Sequence, residues 1–181
     1  MRHLIRLFDR FLRRVYGISE FWDDPACLLR LRVGQATHPL PLPDGQLPAG
    51  TRVLEIHLWN EQIPPIAATG PDLAWAVQVR RRLIASLCRL AEQMRHDPRL
   101  AGVQAVGGVT VLAGEKLLAR LGFTIFPYHN RLGRFGEFWE NLYTWGIMWA
   151  FNAASLRQRH LLQLRRTEIW MSAEQFLRRY G

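Results

Sequence analysis

Between Glu55 and Glu61 the chain places two carboxylates, an imidazole, an indole and an amide: Glu55, His57, Trp59, Asn60 and Glu61. An imidazole titrates near neutrality, and a neighbouring carboxylate tunes it, so His57 with Glu55 or Glu61 is a candidate proton-transfer centre. Asn60 and Trp59 are candidates for holding a polar substrate. The segment alternates like a half-buried strand, with Leu54, Ile56 and Leu58 on one face and Glu55, His57 and Trp59 on the other. Pro64-Pro65 then stops further pairing. The competing reading makes His57 a structural hydrogen-bonder and Asn60 the cap of a turn.

A second polar cluster lies in the basic, glycine-rich stretch Tyr128-His-Asn-Arg-Leu-Gly-Arg-Phe-Gly136. There His129, Arg131 and Arg134 could bind an anion, or could simply be solvated. A shared site requires His57, Asn60, Arg131 and Arg134 to converge on one concavity. The chain carries no Ser/His/Asp order, P-loop, CxxC or HExxH pattern, so hydrolase, NTPase and zinc readings have no support. Neither a metal-ligand spacing nor a cofactor fingerprint is present.

The elements that must position these residues follow from periodicity. Residues 3–16 form a helix with Leu4, Ile5, Phe8, Phe11, Leu12, Val15 and Tyr16 as an apolar stripe, and Arg2, Arg6, Asp9, Arg10 and Arg13 opposite. The stripe is expected to pack on its own domain; a helix of this kind also lies in bilayer interfaces. A strand over 27–33 points Leu29, Leu31 and Val33 inward, and Arg30 and Arg32 outward. Prolines 39, 41 and 43 with Asp44-Gly45 mark turns. The longest helix covers 72–95, with Pro71 at its first position. Further elements are a strand over 103–112 interrupted by Gly107-Gly108, a short helix from Glu115 to Leu121, and a strand at 123–126. An aromatic helix then runs from Glu137 to about Leu156, too short for the ~20 apolar residues a bilayer span needs. A strand within 162–171 leads to a terminal helix opened by Ser172-Ala-Glu-Gln175. The predicted fold class is α+β, a mixed β-sheet covered by helices in one domain spanning 1–181.

The 181 residues carry 24 basic and 15 acidic side chains, a net charge of +9. All the basic residues except Lys116 are arginine, which grips phosphates and carboxylates bidentately. An anionic lipid or a phosphorylated or glycan substrate is therefore an expected partner, while nucleic-acid binding has charge but no recognised module. Cys27 and Cys88 sit in apolar stretches and read as buried free thiols, which favours a reducing cytoplasm. Arg6, Asp9, Arg10, Arg13 and Arg14 interrupt any signal-peptide core.

Three stretches together resemble the YkoP-like domain, a bacterial family: the Leu4–Gly17 helix, Asp44-Gly45 through Leu54-Glu-Ile-His57-Leu-Trp-Asn60, and Gly108-Val-Thr with Leu121-Gly-Phe-Thr124. Members of that family occur alone or joined to polysaccharide deacetylase domains. The resemblance implies an accessory role in cell-envelope glycan or lipid metabolism, beside polysaccharide-modifying enzymes, and peripherally on the inner membrane face. At the level of fold, Glu115-Lys-Leu-Leu-Ala-Arg-Leu-Gly-Phe123-Thr is similar to a late helix and strand start of the GNAT-type acetyltransferases. That implies a GNAT-like scaffold and, as the alternative function, a small acyl or group transferase using His57. Where those enzymes carry a glycine-rich pyrophosphate turn, this chain has Ala67-Ala-Thr-Gly-Pro-Asp72, with one glycine.

Overall fold

The computed structural model describes residues 2–19, 22, 24–59, 61–67, 69–70, 72–111, 115–128, 133–152 and 166–181, without the side chains of 2–6, 115, 134, 151 and 152. Among them the chain order is α1 (Arg2–Tyr16), β1 (Leu29–Gln35), β2 (Leu40–Leu42), β3 (Gly45–Leu47), β4 (Arg52–Leu58), α2 (Leu73–His96), β5 (Ala105–Thr110), α3 (Glu115–Arg120), β6 (Thr124–Pro127), α4 (Gly133–Asn152), β7 (Thr167–Ser172) and α5 (Ala173–Tyr180). The protein is a single α+β domain built on a mixed sheet of order β1-β4-β5-β7-β6. Strand β4 lies inside that sheet, antiparallel to β1 and parallel to β5.

Period-2 alternation gives the sheet two unlike faces. Leu29, Leu31, Leu54, Val106, Ile169 and Met171 share one core with Leu83, Leu87, Leu90 and Ala91 of α2, Leu118 of α3 and Phe176 of α5. Asp72 caps α2, its carboxylate accepting the Trp75 amide at 2.7 Å, so the helix starts just past Asp72; Pro71 lies outside the described residues. Ser172 caps α5 through the Gln175 amide at 3.1 Å.

On the other face a smaller core of Leu40, Leu42, Val53, Ala105 and Trp170 lies under the hairpin β2–β3. The proline-rich stretch thus forms a short antiparallel pair rather than turns alone. Proline is tolerated because the hairpin is a separate two-stranded sheet, and Pro41 faces solvent. Polar clips hold both ends of the hairpin: Asp44 accepts the Ser172 hydroxyl, and His38 Nε2 lies 3.0 and 3.1 Å from the Glu168 oxygens.

Three further expectations change. The aromatic helix begins at Gly133 rather than Glu137, because the glycine-rich stretch winds into its first turn; Leu156 lies outside the described residues. Cys88 is exposed on α2, while Cys27 is buried. Helix α1 has the expected extent, ended by Gly17 at φ 67°, but is turned over. Its Asp9 is buried, while Leu7, Phe8, Phe11, Val15 and Tyr16 are each more than half exposed.

The His38 clip is a pH-dependent contact. A hydrogen bond from Nδ1 to the Pro39 carbonyl, 2.9 Å away, raises the imidazole pKa most; Glu168 adds to this and burial opposes it. A raised folded-state pKa gives stability that is complete below the unfolded value of 6.5 and is lost as pH rises through the folded one. Because His38 is nearly half exposed, the loss should stay under about 0.5 kcal/mol. Urea melts at increasing pH should show it in the wild type and not in His38→Gln; equal slopes would mean the clip carries no charge.

Candidate functional site

The β1–β4 register sets Arg30 opposite His57 and Arg32 opposite Glu55. These four side chains share the second face of the sheet, on its β1 side. Arg32 donates to Glu55 Oε2 at 3.2 Å, and His57 Nε2 lies 3.5 Å from the same oxygen. That separation exceeds hydrogen-bond range. Nε2 is covered by protein and bonds to no described atom, although the His57 side chain as a whole is 31% exposed. A buried nitrogen without a partner costs stability, and native proteins keep few of them. The ring is therefore neither satisfied by backbone nor fully open.

Past the strand, Glu61 binds two arginines: Arg30 at 2.8 Å and Arg13 of α1 at 3.6 Å. Arg30 was expected to point to solvent. It does leave the main core, but is only 4% exposed, with its guanidinium 4.6 Å above the Trp59 ring. Trp59 is itself buried and forms the floor of this pair. Arg13 continues the chain of charges to Asp9 at 3.0 Å, and Asp9 accepts the Tyr143 hydroxyl of α4 at 2.8 Å. Burial chiefly, and then the Asp9 bond, push the Tyr143 pKa far above its ordinary value. A second knot holds α4 to β7: Arg166 donates to Glu140 at 3.0 Å and to Thr144 at 2.7 Å, and Tyr128 donates to Glu140 at 2.8 Å. Burial lowers the Arg166 pKa, against the pull of Glu140.

Beside His57 the ladder between β4 and β5 ends. Strands β4 and β5 pair only from Val53/Ala105 to Glu55/Gly107, although β4 runs on to Leu58 against β1 and β5 to Thr110 against β7. His57 and Leu58 thus form one prong of a fork, Val109 and Thr110 the other. Gly107 and Gly108 lie at its base for steric reasons. A Cβ on Gly107 would stand 2.0 Å from the Ile169 carbonyl and 2.5 Å from the Trp170 ring. Gly108 adopts φ 143°, which side chains rarely allow.

The structure therefore brings Glu55 to His57, and Glu61 with Trp59 to Arg30 rather than to the imidazole. Asn60, His129 and Arg131, and the side chain of Arg134, lie outside the described residues. Sequence reasoning passed over Arg30, Arg32, Asp9, Arg13 and Tyr143. The available signal was the i, i+4 pair Asp9/Arg13, Asp9 being the one acid of an arginine-rich helix. The other well-placed histidine, His38, has an acceptor against each ring nitrogen, so neither nitrogen is free to face a substrate. Among the described residues no cluster of His, Cys, Asp and Glu could hold a metal ion.

The YkoP domain family model matches residues 1–180. The chain belongs to the YkoP domain family. Comparison with curated proteins and with solved structures returned no match. For this YkoP domain the charged chain and His57 carry opposite expectations on substitution. Arg30→Ala, which strips the guanidinium from Glu61 and Trp59, should cost roughly 3 kcal/mol. His57→Ala should cost under ~1 kcal/mol, since it removes an unsatisfied nitrogen along with a half-exposed ring. Thermal melts decide; a larger loss for His57→Ala would make the ring part of the structural network.

Proposed function

We propose that this YkoP domain is an accessory protein of bacterial cell-envelope glycan or lipid metabolism that works peripherally attached to the cytoplasmic membrane face. The observation that carries the attachment is the inverted helix α1. Asp9 and Arg13 on its inward edge are engaged in internal ion pairs, and Leu7, Phe8, Phe11 and Val15 face outward. Alongside, α4 exposes Phe135, Phe138, Trp139 and Leu142, spaced i, i+3, i+4 and i+7 and therefore one stripe. Phe8 of α1 meets Tyr143 of α4 edge-on, ring centroids 6.2 Å apart, which joins the two helices into one ridge. Aromatic and aliphatic side chains massed on a surface mark an interaction site. No described helix is long and apolar enough to cross a membrane, so a surface mode of binding fits. The envelope assignment rests on the association of YkoP-like domains with polysaccharide deacetylases, which makes polysaccharide-modifying enzymes its expected partners.

Full-length protein should pellet with phospholipid vesicles. Phe11→Asp and Trp139→Asp should each weaken that binding roughly tenfold, by removing apolar burial and adding charge. Undiminished pelleting of both variants would remove the ridge from the argument.

A second reading, a small GNAT-like acyl or group transferase, draws support from the fork. The unbonded His57 Nε2 beside Glu55, at the point where the β4–β5 ladder ends, is the candidate base. Fold likeness alone supplies no reaction. A screen of thioester and activated-sugar donors should find one whose consumption falls at least a hundredfold in His57→Gln. Consumption that ignores the substitution, or none with any donor, defeats this reading.

A further inference from the structure

We propose that the α1–α4 ridge selects anionic phospholipid, and does so because the fold withdraws acidic side chains from it. This rests on the membrane reading above and names the lipid chemistry. Helix α1 has a single acid, Asp9, which is 7% exposed and held by Arg13 and Tyr143. The acids of α4 are Glu137 and Glu140. Glu140 accepts from Tyr128 and Arg166, and Glu137 is half-buried, its charge acting on the same Arg166. The withdrawal thus uses four cation or hydroxyl partners, Arg13, Tyr143, Tyr128 and Arg166. It is not a lack of acids in the sequence.

Among the described charged side chains of α1 and α4, those that stay exposed beside the apolar stripes are Arg10 and Arg14. At about 100° per residue, Leu7, Phe8, Phe11 and Val15 span one side of α1, and Arg10 and Arg14 flank it on successive turns. An apolar band bordered by arginines, with the acids of its helices held off the stripes by other partners, complements a headgroup layer in which phosphate overlies acyl carbon. Exposed Trp139 suits the headgroup level. A second copy of the chain is the poorer occupant. Packing two such ridges together would oppose arginine to arginine, with no acid among the described residues of the two stripes to offset them.

The test is co-sedimentation of the full chain with vesicles of phosphatidylcholine alone, or of phosphatidylcholine mixed with phosphatidylglycerol, at low and high salt. Binding should be stronger to the anionic vesicles, and high salt should remove most of the difference. The double variant Arg10→Gln/Arg14→Gln should lose affinity for anionic vesicles by roughly thirtyfold, about fivefold per arginine, and keep its binding to neutral ones. Its melting curve should match the wild type, because neither arginine enters the internal ion pairs. Equal binding to both vesicle types, or a double variant that binds as the wild type does, overturns the inference and leaves peripheral attachment standing. Binding to neither overturns both. Sedimentation velocity without lipid closes the last alternative: a dimer dissolved by Phe11→Asp assigns the ridge to a second copy and overturns the proposal. Tighter binding to poly-glutamate than to anionic vesicles overturns it in favour of an acidic protein.

Discussion

A guanidinium that is 4% exposed cannot stand without a counter-charge, and in this YkoP domain that requirement organises one whole side of the molecule. Arg30 takes Glu61, Glu61 takes Arg13 as well, Arg13 takes Asp9, and Asp9 takes the Tyr143 hydroxyl. Each link satisfies a charge that the previous one left half-paired. Together they tie β1, the segment after β4, α1 and α4 into one unit. The hydrophobic effect alone would have turned α1 the other way, stripe inward. Desolvated charges outweigh it here because leaving one buried partner unpaired costs several kcal/mol, comparable with burying two large apolar side chains.

The second constraint is steric. Trp170 fills the space above Gly107, and the Ile169 carbonyl occupies the place of a Cβ, so the middle of β5 must be bare backbone. That close approach locks β5 to β7. Ladder pairing between β4 and β5 ends at this glycine pair, each strand then following its own antiparallel neighbour. The fork beside His57 is thus a consequence of two different pairing demands on adjacent strands. It would be present whether or not it ever held a ligand.

Much of this was legible in the chain. The alternation of Leu54, Ile56 and Leu58 identified β4 and its core face, and Ser172 and Gly17 marked helix ends by their ordinary capping chemistry. The contact of Glu55 with His57 also followed from their i, i+2 spacing on a strand. The orientation of α1 could not be read, because its periodicity is the same whichever side faces in. What decides it is Asp9 meeting Tyr143, 134 positions away. Arg30 misled for a related reason: alternation says which face of a sheet a residue takes, not whether a helix and a glutamate cover that face. The glycines at 133 and 136 read as a loop by local propensity, yet packing carries the helix through them.

The ion-pair chain also bears on how the two functional readings relate. Glu61 stands three residues past the end of β4, and Arg30 sits across the ladder from His57. A force on α1 therefore reaches the His57 strand through two salt bridges and one ladder pair, with no long loop between. If α1 rests on a bilayer, the end of β4 lies directly behind the attached helix, and the fork is held at a fixed position relative to the membrane. A surface helix packed only by apolar contacts could slide or roll on its domain. One held by buried ion pairs cannot do so without breaking them. Membrane attachment and a ligand site at the fork are thus compatible: the same bonds that expose the apolar stripe also fix where the imidazole stands.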